Sequence, residues 1–335
     1  MLIYTLPAFI FLLLSFFTDK KNQKFISLFL IIVIIIITGL RWDTGTDWVT
    51  YFDWYSRGLI INSNFNWFEW FKLLPHFSLL IIFVSVLFYS GVRQYFIKNT
   101  SHLHVAGFVL YYASTIGALG ANRHMISIGL LLFALSTQKT YLKYSLYLLS
   151  IIAHESALLA FLLFINPELI KKYIKYFFLT VAIITAYLLY IKFDLLQFIF
   201  INSDLYEVNK LNVYAGNMLE GKDRVESGIF GVIKRVVFLI IFYINRNILD
   251  HKKLWFYLFM CFIYLAFKDV IPVVVSRGVA FLGFIEIELL IICLLNSKNR
   301  LKRFWSVIIL IYFFIVIYKS ISIFKDEFIP YTFII

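Results

Sequence analysis

Residues 25–51 read FISLFLIIVIIIITGLRWDTGTDWVTY, and this stretch decides the fold of the chain. Phe25 to Leu40 carry no charge and are long enough to cross most of a bilayer as a helix. Arg41, Asp43 and Asp47 follow at once, with Gly45 supplying a backbone that can turn tightly. The stretch therefore predicts a membrane helix that ends in a charged loop, where polar chemistry can be held.

The composition is that of a protein with many membrane helices. The chain has 335 residues, of which 62% are hydrophobic and 15% are charged. A soluble domain is about 45–50% apolar and about 25% charged. The net charge of +12 does not indicate a nucleic-acid partner, because the basic residues lie in short links between apolar runs, where they orient helices. Cys261 and Cys293 both lie within apolar runs and are interpreted as packing residues.

Apolar runs predict an all-α fold with about 11–12 transmembrane or re-entrant helices in a single domain, 1–335. The first run has neither a basic leading region nor a cleavage site, so it is interpreted as a span and not as a removed signal. Longer links near 41–76 and 192–228 are predicted to be outer loops. The runs lie near 2–17, 25–40, 77–97, 103–119, 124–137, 141–165, 174–191, 229–244, 254–268, 278–295 and 304–324.

Lysine and arginine positions predict which links face the cytoplasm. Lys20, Lys21 and Lys24 place the first link inside, so the loop after Leu40 lies outside. If 141–165 were one span, later basic links would face outward. A turn at His154 removes these violations, because 141–153 and 156–166 then become two short antiparallel helices, which are tolerated where they line a cavity. The outer side then collects Arg41, Asp43, Asp47, Arg123, His154, Arg224 and Arg277.

Arg41 and Asp47 allow two interpretations. They form either an ion pair that anchors the loop, or a binding site in which the arginine holds a phosphate or sugar and the aspartate accepts a proton. Arginine suits phosphate because its planar fork donates two hydrogen bonds at once and stays charged.

Arg123 and His154 carry the same ambiguity. Arg123 is either a snorkelling interface residue or a ligand contact that opens a helix beside small residues. His154 is either a packing residue or a proton-transfer group, since ionisable residues within apolar spans are costly and often functional. The sequence contains no nucleotide, metal-spacing or nucleophile-elbow motif, so neither cofactor nor metal is predicted.

At these positions the chain resembles the EpsG family of bacterial exopolysaccharide and O-antigen (Wzy-type) polymerases. Trp48 stands where a tyrosine is commoner in the family, and Ser127 or Ile128 stands near a small family position. The matching pieces are Gly39-Leu40-Arg41, Gly45-Thr46-Asp47-Trp48 with Tyr51, Asn122-Arg123, His154-Glu155-Ser156-Ala157, and Ser276-Arg277 with Phe281.

The resemblance implies a GT-C-like membrane glycosyltransferase that joins polyprenyl-diphosphate-linked oligosaccharides on the outer side of the bacterial cytoplasmic membrane. Its partners would be those lipid-linked sugars, the bilayer and, as a further candidate, a chain-length regulator. His154 or Asp47 would serve as base, and the arginines would hold the diphosphate. The implied substrate-binding set is Arg41, Asp43, Arg123, Arg224 and Arg277. A flippase or permease, and a ligase or single-sugar transferase using the same carriers, remain open alternatives.

Overall fold

Helices account for nearly all of the chain that the computed structural model describes. The described residues are 2–45, 47–57, 67–100, 103–165, 229–267, 283–296, 299–323 and 331–333. The predicted helix 174–191, the predicted loop 192–228 with Arg224, and Arg277 lie outside them.

Most of the predicted helices are confirmed within a few residues. The α-helices are α1 (Leu2–Phe17), α2 (Lys20–Gly39), α3 (Trp48–Ser56), α4 (Phe77–Asn99), α5 (His104–Thr115), α6 (Asn122–Ser136), α7 (Thr140–Ala153), α8 (Ile229–Ile244), α9 (His251–Phe267), α10 (Gly283–Leu295) and α11 (Asn299–Ile323). Shorter 3-10 helices cover Trp67–Leu73, Ile116–Ala118 and Glu155–Leu163. Two short strands, β1 (Arg41–Trp42) and β2 (Thr332–Phe333), pair in antiparallel register.

The predicted outer loop 41–76 contains more structure than expected. It holds α3 and the 3-10 helix Trp67–Leu73. Aromatic residues recur four positions apart along α3, as in Trp48 and Phe52, whose rings stack at 4.8 Å. Polar residues between them interrupt the apolar run, so a search for continuous apolar stretches does not detect this helix.

The described residues divide into two compact units, 1–159 with 283–335, and 160–282. In the first unit, α4 packs most extensively against α6, and α6 against α7. A Cβ atom on Gly91 would lie 2.6 Å from the carbonyl oxygen of Gly129, so the two backbones are in direct contact. Lys98 Nζ donates to the carbonyl of Ser136 at 3.0 Å. The step from Gly91 to Lys98 along α4 matches the step from Gly129 to Ser136 along α6 in length and direction. Helices α4 and α6 therefore run parallel.

The predicted break at His154 is confirmed. Helix α7 ends at Ala153, and His154 adopts an extended conformation with φ −159° and ψ 126°. The Tyr147 hydroxyl then donates to the carbonyl of Leu158 at 3.5 Å. A continuous helix would place these residues roughly 16 Å apart along its axis. The chain therefore turns back beside α7.

The surface of the first unit carries apolar stripes. On α1, Leu2, Leu6, Ile10 and Leu14 are exposed at four-residue intervals. Among the described helices, Lys21–Gly39 and Phe77–Asn99 are long and apolar enough to span a membrane, and Leu2–Phe17 and Phe304–Tyr318 are shorter apolar helices. Stripes of this kind favour contact with lipid over contact with water. The polytopic arrangement and the GT-C-like architecture stay predictions.

In the second unit, an arginine that interrupts an apolar helix has structural partners. Arg235 on α8 stacks its guanidinium 3.3 Å from the centre of the Tyr264 ring on α9. Its Nη1 atom also donates to the carbonyl of Gly231 at 2.8 Å. Arg235 thus joins α8 to α9 by a cation–π contact.

Candidate functional site

Arg41 completes the C-terminal end of α2. The last carbonyl groups of a helix have no partner within it. Here Ile36 O accepts the backbone N–H of Leu40, and Ile37 O accepts the hydroxyl of Tyr331. Thr38 O accepts Arg41 Nη1. The positive guanidinium also complements the negative end of the helix dipole.

Arg41 is buried, and no carboxylate of the described residues lies beside it. Its side chain is 1% exposed, and Nε donates to the carbonyl of Thr44 at 3.0 Å. Within the described ranges, no Asp or Glu oxygen lies within 4 Å of the guanidinium, so the anchoring ion pair with Asp47 is not formed. The phenol groups of Tyr4, Tyr89 and Tyr331 surround the charge instead. Burial raises the pKa of Tyr331 above its ordinary value, which keeps its hydroxyl protonated as a donor.

The loop after Arg41 lies directly on the backbone that precedes α6. Asp43 has φ 48° and Gly45 has φ 114°, so both adopt left-handed conformations. A Cβ atom on Gly45 would lie 2.5 Å from the carbonyl oxygen of Leu119. Glycine is therefore required at position 45, both for its conformation and for the close approach. Asp43 is exposed at the surface of this loop.

Arg123 lies at the start of α6, where three elements meet. Its backbone N–H donates to the Tyr51 hydroxyl of α3 at 3.4 Å, and its Nε donates to the carbonyl of Ala153 at 3.3 Å. The side chain is half-buried. Asp47, also half-buried, directly precedes α3, and its carbonyl accepts the backbone N–H of Tyr51 at 3.0 Å. The predicted residues Asp47, Arg123 and His154 are thus carried by adjoining elements.

His154 is held by its neighbours in the chain and by α6. The backbone N–H of Ser156 donates to its Nδ1 at 3.2 Å. Its ring meets the ring of His124 edge to face, with centroids 4.9 Å apart and planes at 88°. His124 is not among the site residues predicted from the sequence. A feature that could have pointed to it is its position directly after Arg123, at the polar start of an otherwise apolar helix.

A reciprocal pair of serines explains why the two histidines meet. Ser127 Oγ donates to the carbonyl of Ser150 at 2.7 Å, and Ser150 Oγ donates to the carbonyl of Ser127 at 2.8 Å. Ser127 lies one turn from His124 on α6. Ser150 on α7 accepts the backbone N–H of His154 through its carbonyl at 3.1 Å. The serine pair fixes the register of the two helices and brings the imidazole rings together.

Buried polar atoms lie near the same elements. Asn122 Oδ1, next to Arg123, is buried and makes no hydrogen bond to the described residues. Ser85 Oγ on α4 is in the same condition, and its Cβ lies 3.6 Å from the Cβ position of Gly39 at the end of α2. A buried polar atom without a protein partner requires an explanation, such as a catalytic role or a bound water or ion.

An aromatic cluster covers the loop from the side of α3. The Trp42 and Trp48 rings meet at 5.0 Å, and the Trp48 and Phe77 rings at 5.6 Å. At its edge, Trp54 Nε1 donates to Glu69 Oε1 at 2.9 Å, and Lys72 Nζ lies 2.8 Å from Glu69 Oε2. Partial burial opposes ionisation of Glu69, but the hydrogen bonds from Lys72 and Trp54 lower its pKa overall. Trp48 and Phe77 are buried, whereas Trp42 keeps a half-exposed ring beside the polar loop.

In the described part of the chain, no three His, Cys, Asp or Glu side chains are grouped as metal ligands. The predicted residues Arg224 and Arg277 both lie outside the described residues.

The comparisons with known proteins give one match. A sequence profile described as the EpsG family matches residues 24–333, which include the Arg41 loop, Arg123 and His154. No curated protein and no solved structure matches the chain.

Proposed function

The chain belongs to the EpsG family, whose members are Wzy-like polymerases, and on this premise we propose that it is a membrane glycosyltransferase. It polymerises polyprenyl-diphosphate-linked oligosaccharide repeats on the outer side of the cytoplasmic membrane. The observation that carries the proposal is the meeting of Arg123 with the turn at His154, next to the loop that Arg41 organises. Cationic and hydrogen-bonding groups are thereby gathered on one set of adjoining elements.

The proposed reaction needs no separate energy source, because the diphosphate linkage is already activated. A hydroxyl oxygen of one lipid-linked glycan attacks the anomeric carbon of the other, and the new carbon–oxygen bond forms there. The bond from that carbon to the diphosphate breaks, and the polyprenyl diphosphate leaves with the electron pair. The proton of the attacking hydroxyl passes to a protein base. Positive charge at the leaving diphosphate stabilises the transition state.

The arginines contribute to this reaction from different depths. Arg123 is half-buried, so its guanidinium is the one that contacts the diphosphate. Arg41 is enclosed beneath the loop. It acts as a fixed positive charge that raises the local electrostatic potential. Arg224 and Arg277 remain in the proposed substrate site by family resemblance, as does the exposed Asp43.

Two groups are candidates for the base. Asp47 is half-buried at the start of α3, and His154 lies at the turn after α7. The half-exposed ring of Trp42 provides a flat face on which a sugar ring stacks. Both lipid-linked substrates would enter sideways between helices whose exposed stripes are apolar.

The proposal predicts a ladder of products from the purified protein. In proteoliposomes supplied with a polyprenyl-diphosphate-linked repeat, glycans should lengthen by whole repeats, with one polyprenyl diphosphate released for each bond. A flippase would move the substrate across the bilayer without lengthening it. A ligase or single-sugar transferase would give one addition and no ladder. Either of these results would replace the polymerase proposal.

Opposite ends of α2 are predicted to lie on opposite sides of the membrane. Asp43 and Lys21 are both exposed and flank this helix. In a Cys261→Ala/Cys293→Ala background, a membrane-impermeant maleimide added to intact cells should label Asp43→Cys and not Lys21→Cys. Lys21→Cys should react only after the cells are opened. Labelling of Lys21→Cys in intact cells would reverse the proposed orientation and move the site to the cytoplasmic side.

A further inference from the structure

We propose that His154 acts on the leaving diphosphate as a hydrogen-bond donor through Nε2–H, and that it is not the base. This assignment rests on the proposed function, which leaves the base open between His154 and Asp47. It follows from the hydrogen bond at the other ring nitrogen.

The Ser156 amide fixes the tautomer of His154. A neutral imidazole has one nitrogen that accepts and one that carries hydrogen. The backbone N–H of Ser156 donates to Nδ1 at 3.2 Å, so Nδ1 is the acceptor and Nε2 carries the hydrogen. To take up a proton, the ring would have to use the lone pair that already binds this amide. Neutral His154 therefore presents a donor to its surroundings.

The backbone keeps this arrangement rigid. Ser156 belongs to the 3-10 helix Glu155–Leu163, which begins directly after His154. The carbonyl of His154 accepts the backbone N–H of Ala157 at 3.1 Å. Amide and carbonyl groups of the same turn thus hold the residue on both sides. The Ser127–Ser150 pair holds the preceding helix.

Arg123 contacts the same turn. Its Nε donates to the carbonyl of Ala153, the residue before His154. A guanidinium and a neutral N–H donor on one turn match the chemistry of a diphosphate, whose oxygen atoms accept several hydrogen bonds. Among the described elements, the charged and titratable groups next to His154 are Arg123 and His124 on α6 and Glu155 in the chain.

The proton of the attacking hydroxyl is then assigned to Asp47. Its carboxylate is half-buried, and it makes no capping hydrogen bond at the start of α3. In this scheme the hydroxyl proton moves to the Asp47 carboxylate as the glycosidic bond forms. The diphosphate leaves as an anion while Arg123 and His154 hold its oxygens. His154 neither gains nor loses a proton in the step.

Replacing His154 by glutamine and by alanine distinguishes a role as hydrogen-bond donor from a role as general base. Glutamine keeps an N–H donor but does not accept a proton near neutral pH, whereas alanine keeps neither. We expect His154→Gln to retain at least about a tenth of the initial polymerisation rate, and His154→Ala to lose about 100-fold or more. In a profile of rate against pH, the rate of His154→Gln should decrease at low pH with the same midpoint as that of the unchanged protein; this decrease is the acid limb of the profile. Equal, complete losses in two variants that remain folded, or loss of the acid limb in His154→Gln, would identify His154 as the base.

The tautomer is measured independently of activity. In ¹⁵N-histidine-labelled protein, the His154 signal is identified by its absence from His154→Gln. At a pH where the ring is neutral, its two nitrogen shifts should show hydrogen on Nε2. Hydrogen on Nδ1 would overturn the proposal even if the enzyme polymerises. If the labelled protein shows the expected tautomer but makes no polymer from any lipid-linked glycan, the proposed function fails and the tautomer assignment does not.

Asp47→Asn supplies the complementary test. It keeps the size of the side chain and removes the proton acceptor, so we expect a loss of about 100-fold or more. Asp53→Asn on the exposed side of the same helix is the matched control and should leave the rate unchanged. A fully active Asp47→Asn variant would contradict this proton route.

Discussion

Replacement of Arg41 by alanine is expected to abolish polymer and to lower the free energy of unfolding by about 2–6 kcal/mol. The substitution removes the donors of two enclosed carbonyl groups, those of Thr38 and Thr44. Each carbonyl left without a partner costs about 1–3 kcal/mol. The loop that carries Asp43 and Gly45 also loses its attachment to the end of α2. Thermal unfolding in detergent and glycan length in a complemented deletion strain measure the two effects.

Arg93 provides the matched control for Arg41. It lies on α4 and donates to Ser27 Oγ at 3.1 Å and to the carbonyl of Lys24 at 3.4 Å. Ser27 and Thr38 are about 16 Å apart along α2, so Arg93 serves the opposite end of that helix. Arg93→Ala should leave long-chain glycan in place. Normal polymer and normal stability in Arg41→Ala would contradict the role assigned to the enclosed guanidinium.

Replacement of Arg123 by alanine is expected to reduce the polymerisation rate by about 100-fold or more without a comparable loss of stability. Its side chain is half-buried and makes one hydrogen bond to the part of the chain that the structure describes, to the carbonyl of Ala153, so folding depends on it less than on Arg41. Removing it takes a positive charge from the proposed diphosphate position. The measurement is the initial rate of lipid-linked glycan consumption, with the unfolding temperature recorded for the same sample.

Lysine at position 123 tests what the planar group contributes. Arg123→Lys keeps the charge but loses the fork that binds two oxygens together. We expect a rate between those of the unchanged protein and Arg123→Ala. An unimpaired Arg123→Ala variant would remove Arg123 from the diphosphate site. Equal losses of rate and stability would instead assign it a structural role at the start of α6.

The helices were predictable because their pattern is local. Continuous apolar runs mark α1, α2 and α4, and the structure confirms them within a few residues. Helix α3 was missed because its buried side is built from separated aromatic residues. The break at His154 was predicted from charge, since only a turn there kept the later basic links inside. The observed end of α7 at Ala153 agrees with that reasoning.

The environment of the site residues was less predictable. The sequence indicates that Arg41 follows a helix, but it does not show that the guanidinium turns back onto that helix and becomes enclosed. That outcome depends on Tyr4, Tyr89 and Tyr331, which are distant in the chain. His124 was missed for a related reason, because its approach to His154 follows from the register set by Ser127 and Ser150. Packing between distant segments decides such contacts, and a single sequence does not display them.

The pairing of β1 with β2 sets an order for assembly during synthesis. Thr332 meets Trp42 across 290 positions of the chain, and Tyr331 supplies a donor to the end of α2. The ribosome therefore makes the Arg41 loop early and its closing strand late. Until residues 331–333 have been synthesised, the Ile37 carbonyl lacks the Tyr331 hydroxyl as its donor, and β1 lacks its partner strand β2. A nascent chain stalled before Tyr331 would contain all the proposed catalytic groups but lack the strand that pairs with the loop, so the loop is completed only after residues 331–333 have been made.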